Sequence, residues 1–508
     1  MFRFIGICLL LLHYAHADVI MPSIFNSGMV LQRGIELPVW GWAEPNESVR
    51  VSFKDQVKSV TADSNGQWKV SLQPLKMSTQ GQNLKISGKN NIVLKNVLVG
   101  DVWICSGQSN MEWSVSGSDQ NTQNVAKSKL KNENIRLFRV PNHIQSPVPL
   151  ADVQGTWTTC HDLNQIRAFS GVGFSFGHTL ESELQIPIGL IDTSWGGTAI
   201  ESWIAPEGYK NIGQPLKELD SNKLAGVKKN FDKIHQEIDA WKKKAALAAK
   251  VGKMIPSPNI PQFSQRAQNG IYNAMVAGLA PFGVKGAIWY QGESNRSRVY
   301  PDYFNKLKAL ISGWKEKFTS EKFSFYLVQI APFDYNRGNR SANDLVLCEN
   351  IWRSQYRAAN EIEGCDIVPI HDTINGNIKD IHPRNKLTVG QRLAALALKH
   401  DYSKDVVSTG PVFKKVDIEG QKMKVHFNFV DQGLGTNDKK DIRGFEVSAD
   451  GQTYVSASAK VEGKSVTVWN DTISSPKYVR MGWSEVAVPN LTDKNGWPVR
   501  QFTTQPAK

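Results

Sequence analysis

Hydrophobic and polar residues follow two different patterns along the chain, and the positions where one pattern replaces the other divide it into three parts. In residues 18–96, short runs such as 37–42 and 68–72 have strand-like composition and are separated by Asn, Gly and Pro turns. This spacing predicts β-strands. Residues 408–508 return to the same pattern. We therefore expect an N-terminal β-sandwich domain over 18–96 and a C-terminal one over 408–508.

In the middle part, residues 97–402, apolar runs of strand length alternate with segments of helical periodicity. The predicted strands are 97–105, 135–140, 186–192, 284–290, 323–330 and 365–370. The predicted helices are 173–184, 269–277, 303–318, 349–360 and 383–400. Such alternation indicates an α/β domain with a parallel sheet covered by helices on both faces.

The first 17 residues have the features of a secretory signal peptide. Arg3 precedes an apolar run over 5–12, and Ala15-His16-Ala17 forms a small-x-small cleavage site. No later run reaches about 18 apolar residues, the length that a membrane-spanning helix requires. We therefore expect a mature protein that begins at Asp18 and has no membrane partner. It is expected to be secreted or periplasmic, or lysosomal in a eukaryotic cell.

Positive charge is concentrated in one segment. The formal net charge is +13, and residues 210–253 contain eleven lysines and five acidic residues, a net charge of +6. Apolar residues in this segment step by threes and fours, which predicts an amphipathic helix inserted in the α/β domain with lysines on its solvent face. Because no aromatic residues interleave a basic patch, the sequence does not indicate a nucleic-acid partner.

Four cysteines remain after the predicted signal peptide, namely Cys105, Cys160, Cys348 and Cys365. An oxidising compartment permits disulfides, but the spacing leaves the pairing open. Cys348 and Cys365 flank a predicted helix and are a candidate pair. Cys105 lies within a predicted strand and is expected to be a buried small hydrophobe.

Candidate catalytic residues follow the ends of four predicted strands. They are Ser109 in Gly107-Gln108-Ser109-Asn110-Met111, then Gly196-Gly197-Thr198, Gln291-Gly292-Glu293, and Asp380-Ile381-His382-Pro383. Carboxyl ends of parallel strands meet at one edge of a sheet, so these segments are expected to converge. A serine attacks esters when a base and oxyanion donors accompany it. Pro383 suits a first helical turn, which predicts His382 at a helix cap.

Together these blocks resemble the SGNH-type hydrolases, and specifically the sialate O-acetylesterase family. The resemblance covers residues 100–111, 192–198, 286–295 and 381–386. It implies an SGNH-hydrolase (flavodoxin-like) three-layer α/β/α core between the two β-sandwich domains. It also implies a serine esterase that removes O-acetyl groups from sialic acids through an acetyl-serine intermediate.

Carried over to this chain, the resemblance implies that Ser109 is the nucleophile and His382 the general base. The implied oxyanion hole consists of the backbone N–H groups of Ser109 and Gly197 and the side-chain amide of Gln291. Such donors stabilise an alkoxide without losing a proton to it.

The orienting acid departs from the family pattern. Many members have an aspartate three residues before the histidine, where this chain has Lys379, and Asp380 is the nearest candidate. Asp380 either completes a triad or leaves a dyad in which a backbone carbonyl holds the imidazole ring.

Neighbouring residues suggest further roles. Trp195 and Trp289 are candidates for stacking on a sugar ring, and Asn110 and Glu293 for weaker substrate contacts. Arg167 and Arg384 are candidates for a substrate carboxylate or for structural ion pairs. His371-Asp372 offers a second His and Asp at a strand end, which is more typical of a structural hydrogen-bonded pair.

The sequence indicates no metal site and no cofactor, since the histidines and cysteines lack metal-binding spacing and no phosphate-binding glycine loop occurs. The predicted partner is an O-acetylated sialic acid or another acetylated glycan. One alternative substrate is acetylated xylan or another polysaccharide. A function of a different class, a non-catalytic carbohydrate-binding protein, is opposed by the joint presence of Ser109, His382 and Gln291.

Overall fold

The computed structural model describes residues 18–141, 145–216, 267–297, 300–318, 322–335 and 349–506, together with scattered positions within 233–253. The predicted signal peptide, Cys348 and most of the lysine-rich segment lie outside the described residues. Of the remaining cysteines, Cys105, Cys160 and Cys365 are buried free thiols.

The N-terminal part consists of antiparallel strands and one parallel pair. Its strands are β1 (Val30–Gln32), β2 (Leu37–Trp42), β3 (Ser48–Phe53), β4 (Gln56–Thr61), β5 (Gln67–Leu72), β6 (Ser78–Ser87) and the first half of β7 (Asn91–Gly107). β2 pairs with β5, β3 with β4 and β6, and β6 with β7. Burial alternates residue by residue along β3 and β5. This period of two confirms the predicted strands, because one face packs inward and the other meets solvent.

Strand β7 connects the N-terminal part to the central sheet without a break. Its first half pairs with β6, and its second half is hydrogen-bonded on both sides within the central sheet. Every residue from Val97 to Gly107 is buried, as expected for a strand covered on both faces. The domain boundary predicted between residues 96 and 97 coincides with this change in burial and falls inside one strand.

The central sheet has the order β13-β12-β11-β7-β10-β8-β9, and its strands are parallel except for β9. The strands that complete it are β8 (Ile135–Arg139), β9 (Trp157–Thr159), β10 (Ile188–Asp192), β11 (Gly286–Tyr290), β12 (Ser324–Val328) and β13 (Cys365–Val368). The helices described in this part are α1 (Ser109–Glu112), α2 (Gln120–Ser128), α3 (Leu163–Ala168), α4 (Gly171–Leu184), α5 (Pro206–Asn211), α6 (Asp302–Lys317), α7 (Glu349–Glu361) and α8 (Lys386–His400).

Core residues cover both faces of this sheet. Along β11, Ala287 and Trp289 belong to one hydrophobic cluster, while Ile288 and Tyr290 belong to another. Helices α4 and α8 pack together on the second cluster, and α6 and α7 pack together on the first. Two-sided burial explains the continuous apolar runs of the sequence and confirms the predicted α/β class. In the described residues, no helix is long and apolar enough to span a membrane.

The C-terminal part is antiparallel and sandwich-like. Its strands are β14 (Val412–Glu419), β15 (Lys422–Asn428), β16 (Leu434–Thr436), β17 (Phe445–Ser448), β18 (Val455–Ser456), β19 (Ser458–Glu462), β20 (Ser465–Trp469), β21 (Tyr478–Met481), β22 (Leu491–Asp493) and β23 (Phe502–Thr503). Sheets β14-β15-β20-β19 and β18-β17-β21-β23 share one hydrophobic core. This part contacts the central one through Trp483, whose ring lies 5.9 Å from that of Trp352 on α7.

Two predicted helices differ from the structure. The segment predicted over 269–277 forms a π-helix over Tyr272–Val276 and a 3₁₀ turn over Ala277–Leu279. The helix predicted to begin at Pro383 begins at Lys386, because the Asn385 side chain accepts a hydrogen bond from the Thr388 N–H and so caps it. The predicted position of His382 at the helix cap is therefore wrong, and His382 lies in the preceding loop.

Candidate active site

Ser109 begins a short helix directly after the central strand. Strand β7 ends at Gly107, which has a φ of +138° and approaches β11 so closely that a Cβ would lie 2.2 Å from the Tyr290 carbonyl oxygen. Only glycine fits there. Gln108 and Asn110 are buried on either side, while Ser109 remains partly exposed. The chain thus presents one hydroxyl at the carboxyl edge of the sheet.

His382 lies within hydrogen-bonding distance of this hydroxyl. Its Nε2 is 3.0 Å from Ser109 Oγ. Its ring stacks on Trp113, with the two ring centroids 4.5 Å apart and the planes inclined by 21°. This geometry allows the imidazole to take the hydroxyl proton.

The surroundings favour the neutral imidazole. Partial burial lowers the pKa of His382 below its ordinary value, and the positive charge of Lys386 lowers it further, against the opposing effect of Asp380. A histidine with a lowered pKa is a proton acceptor at neutral pH.

Asp380 contacts the loop and not the imidazole ring. Its Oδ1 accepts a hydrogen bond from the His382 backbone N–H at 2.9 Å, and its Oδ2 accepts one from Arg384 Nε at 3.0 Å. Although partial burial acts to raise it, these bonds hold the pKa of Asp380 below its ordinary range. Within the described residues, no hydrogen bond joins the Asp380 carboxylate to the His382 ring.

The residues flanking Ser109 connect it to two of the other three predicted segments. The Gln108 Oε1 accepts hydrogen bonds from Gln291 Nε2 at 3.1 Å and from the Ser294 N–H at 3.2 Å. The Asn110 Nδ2 donates to the Ile381 carbonyl at 2.9 Å. The convergence predicted from the sequence is thus held by side chains adjacent to the serine.

Glu112 connects the nucleophile helix to the glycine segment. Its Oε2 accepts a hydrogen bond from the Gly196 N–H at 2.6 Å. A Cβ on Gly196 would lie 3.2 Å from Ser109 Cβ, so the glycine backbone passes close beside the serine. Gly197 is exposed, with a φ of +74°. In the described part of the chain, no hydrogen bond engages the N–H of Ser109 or of Gly197, which leaves both able to donate to a substrate oxygen.

The Gln291 amide is hydrogen-bonded within the protein. Gln291 is fully buried, and its Nε2 lies within hydrogen-bonding distance of three acceptors, Gln108 Oε1, Thr198 O and Asn295 Oδ1. Its Oε1 accepts a hydrogen bond from the Tyr303 hydroxyl at 2.7 Å. An amide has two N–H groups, and both are used within the protein. This amide holds the third segment in place, and its role as an oxyanion donor stays a prediction.

The predicted substrate contacts are also buried. Trp289 has no exposed surface and packs edge-on against Trp203 and Trp314, so its prediction as a sugar platform is wrong. Trp195 is only 5% exposed and belongs to the same core cluster. Both tryptophans have large apolar side chains, and this apolar area is buried in the core.

Asn110 and Glu293 bond to each other and not to the site surface. Asn110 is fully buried and Glu293 is 4% exposed, and the Asn110 Nδ2 donates to Glu293 Oε1 at 2.7 Å. Their predicted role as substrate contacts is therefore not supported by their position.

The competing pair His371-Asp372 is structural. Both oxygens of Asp372 accept hydrogen bonds from Arg392, at 2.7 and 2.6 Å. His371 is buried, neither of its ring nitrogens is hydrogen-bonded to a described residue, and burial lowers its pKa to about 4. Among the described residues His371 and Asp372 do not form the predicted hydrogen-bonded pair, and the pairing of Asp372 with Arg392 supports a structural role for the aspartate.

Three residues next to the site had no predicted role, namely Glu112, Trp113 and Lys386. Glu112 and Trp113 lie three and four residues after Ser109, a spacing that returns to the same side of a helix and was a usable signal. Lys386 had no such signal, because a lysine near a helix start is normally exposed. In the described residues, no group of three or more His, Cys, Asp or Glu side chains is arranged to bind a metal ion.

Comparisons with known proteins relate the chain to carbohydrate esterases. The family model described as carbohydrate esterase, sialic acid-specific acetylesterase matches residues 99–399. The sialate O-acetylesterase of Homo sapiens is 29% identical over 464 residues, which are 84% of this chain and 79% of the human protein. That of Rattus norvegicus is 28% identical over 463 residues, 84% of this chain and 81% of the rat protein. The crystal structure of a carbohydrate acetylesterase from Xanthomonas citri matches with a TM-score of 0.79 and 29% identity, covering 96% of this chain and 99% of that one.

Proposed function

The chain belongs to the carbohydrate esterase family of sialic acid-specific acetylesterases, and on that premise we propose that it removes O-acetyl groups from sialic acids through an acetyl-serine intermediate. Family membership makes it a carboxylic ester hydrolase that deacetylates sugars. The choice of sialic acid is supported by the family description and by relatives named sialate O-acetylesterase. Ser109 is the proposed nucleophile and His382 the proposed general base.

One observation carries the mechanism, namely the 3.0 Å between His382 Nε2 and the partly exposed Ser109 Oγ. In the first half-reaction, Nε2 takes the hydroxyl proton while Oγ bonds to the acetyl carbonyl carbon. The tetrahedral intermediate then expels the sugar oxygen, which receives the proton from the imidazolium. In the second half-reaction, Nε2 takes a proton from water while the water oxygen bonds to the carbonyl carbon of the acetyl-serine. The tetrahedral intermediate then expels Ser109 Oγ, which receives the proton, and acetate is released.

The proposed oxyanion hole has two backbone donors, the N–H groups of Ser109 and Gly197. Both are free of hydrogen bonds in the described part of the chain. Glu112 supports this arrangement because it fixes the neighbouring Gly196 N–H. Removing one oxyanion donor in a hydrolase typically costs roughly 100- to 1000-fold in turnover.

For the orienting group we propose a Ser-His dyad in which Asp380 positions the loop. The Asp380 carboxylate holds the His382 backbone N–H, and stacking on Trp113 restrains the plane of the ring. In this arrangement no carboxylate stabilises the imidazolium through Nδ1, in contrast to a Ser-His-Asp triad.

Arg384 is the proposed contact for the carboxylate of a sialic acid. It is exposed, and its guanidinium lies 4.3 Å from the Trp113 ring that stacks on His382. Its Nε donates to Asp380 at 3.0 Å and its Nη1 donates to the Gly117 carbonyl at 3.2 Å, so Nη2 and the second N–H of Nη1 are the groups left for a ligand. A planar guanidinium suits bidentate binding of a carboxylate, which xylan lacks.

At the level of the whole chain we propose an SGNH-type (flavodoxin-like) core over 97–402 between β-sandwich domains at 18–96 and 408–508. The parallel order of the strands around β7 and the separate C-terminal core support this assignment. We also propose secretion after cleavage of residues 1–17, on the sequence features of that segment.

The test measures acetate release from O-acetylated sialic acid and from acetylated xylan with the wild-type protein and with Ser109→Ala. Release from the sialic acid by the wild type and a loss of about 10⁴-fold in the variant are expected. Equal release by both proteins would refute Ser109 as nucleophile, and release from xylan alone would refute the substrate. Far-ultraviolet circular dichroism of the variant checks that the fold is intact.

A further inference from the structure

Lys386 is a buried lysine that contacts Asn110, the residue after Ser109. It is the first residue of helix α8 and has no exposed surface. Its Nζ donates a hydrogen bond to Asn110 Oδ1 at 2.6 Å and lies 5.3 Å from the centre of the Tyr290 ring. Lysines are almost never fully buried unless they are paired, because removing an ammonium from water is unfavourable. Its position therefore requires a partner network.

The amide of Asn110 is the junction of this network. A lysine ammonium can only donate, so the oxygen of the amide must face Lys386 and the nitrogen must face acceptors. The nitrogen donates to the Ile381 carbonyl at 2.9 Å and to Glu293 Oε1 at 2.7 Å. The Asn110 side chain thus connects the Ser109 helix to Ile381, the residue before His382.

Glu293 supplies the opposite charge across the amide. It is buried, and its Oε1 accepts a hydrogen bond from Asn110 at 2.7 Å. Burial lowers the pKa of Lys386 to about 7, and the charges of Glu293 and Asp380 oppose that change while Arg384 adds to it. Burial raises the pKa of Glu293, against the hydrogen bond from Asn110 and the charge of Lys386. The charge of Glu293 therefore favours the protonated form of Lys386.

We propose that Lys386 is a positioning residue of the esterase, which orients the Asn110 amide and so fixes the His382 loop against the Ser109 helix. This inference rests on the proposed roles of Ser109 and His382. The lysine touches neither hydroxyl nor imidazole in a hydrogen bond of the described residues, so it acts through Asn110 and through its charge. Its ammonium disfavours a second positive charge on His382.

The test compares Lys386→Met with Lys399→Met. Met keeps the apolar stem of Lys386 and removes the donor and the charge. Lys399 is an exposed lysine of the same helix, paired with Asp405 at 3.5 Å, and serves as the matched control. The assay is hydrolysis of p-nitrophenyl acetate over a range of pH, with Ser109→Ala measured alongside.

For Lys386→Met we expect kcat to fall about 100-fold, as displacement of a reacting group by an ångström typically causes. KM should stay within about threefold of the wild type, because the lysine contacts no substrate. The acid limb of the pH profile should move to higher pH, since His382 loses a repelling neighbour. A kcat and an acid limb equal to those of Lys399→Met would overturn the inference.

If Lys386→Met does not fold, Asn110→Ala tests the same connection, because Asn110 joins Lys386 to the His382 loop. We expect the same loss of kcat at nearly unchanged KM, and wild-type kcat in a folded Asn110→Ala protein would overturn the inference. Activity remaining in Ser109→Ala would instead refute the proposed nucleophile. The two failures are therefore distinguishable in one set of measurements.

Discussion

The Nε2 atom of His382 lies 3.0 Å from the Oγ atom of Ser109, although 273 residues separate them in the chain. Adjacent parallel strands bring their segments to one edge of the sheet, and side chains on both sides of Ser109 hold the other segments there. The contact places a hydroxyl that needs a base beside an imidazole whose pKa is lowered by burial and by the charge of Lys386. This contact leads us to expect defined effects of substitutions at both histidines and in the loop, and a defined pH profile.

The two candidate histidines should differ in activity. We expect His382→Ala to lose about 10⁴-fold or more in kcat, because the proposed base is removed. His371→Ala should keep kcat within about threefold, since Asp372 is paired with Arg392 and not with a catalytic group. Hydrolysis of p-nitrophenyl acetate by the two purified variants measures this. The reverse ranking in folded proteins would exchange their roles.

The activity should decline with acidity at a lower pH than a free imidazole would give. Only neutral His382 can accept the Ser109 proton, so activity is lost as the pH falls through its pKa. Because burial and the Lys386 charge lower that pKa below 6.5, the midpoint of kcat/KM should lie below pH 6.5.

Asp192 provides a control for this profile, since burial raises its pKa to about 6 while its Oδ1 binds Ser194 and not His382. The midpoint should be unchanged in Asp192→Asn. A midpoint above pH 7 in the wild type would contradict the described environment of His382.

Asp380→Asn should have a modest effect. Asparagine keeps an oxygen that accepts from the His382 N–H and loses the ion pair with Arg384, so a loss of no more than about 10-fold in kcat is expected. A triad aspartate typically costs about 10⁴-fold when changed to asparagine, because the histidine tautomer becomes wrong. Steady-state kinetics of the variant separate the two cases, and a loss near 10⁴-fold would establish a triad.

Gly107→Ala should damage both stability and activity. A Cβ there would lie 2.2 Å from the Tyr290 carbonyl oxygen at a φ of +138°, so β7 and β11 must separate beside Ser109. Gly213→Ala is the matched control, because that glycine has a φ of +71° but nothing within 4 Å of the added Cβ. We expect Gly107→Ala to lower the free energy of unfolding by roughly 2–4 kcal/mol more than the control does. Denaturant unfolding measures the difference, and equal losses would contradict the close approach of the strands.

His371 should make the folded protein sensitive to acid. Its pKa is about 4 when buried and near 6.5 when exposed by unfolding, so the unfolded state binds the extra proton between these values. Stability from this group is complete above pH 6.5 and declines as the pH falls toward 4, by up to roughly 3 kcal/mol. His371→Leu should therefore retain more of its neutral-pH stability at pH 4.5 than the wild type does. Thermal melts at both pH values test this, and parallel losses in the two proteins would count against it.

Most of the strands and helices could be predicted from the sequence. Period-two runs in the N-terminal part indicate strands with one buried face, and continuous apolar runs in the centre indicate strands buried on both faces. Both patterns are local properties of the residues. The Glu349–Glu361 helix illustrates the same point, since it was predicted over 349–360. The start of the last helix was missed because two residues, Pro383 and Asn385, both suit a helix N-terminus, and the cap formed at Asn385.

The sequence by itself determined the class of the fold, the order of the four blocks that include Ser109 and the family to which they belong, because these depend on residue types and spacing along the chain. Only the tertiary structure decided which side chains face the site. Trp289 and Gln291 turned out to be buried, Asp380 bonds to the backbone of its own loop, and Lys386 lies inside the protein. The direction of a side chain depends on packing against segments far away in sequence, and no local pattern records that.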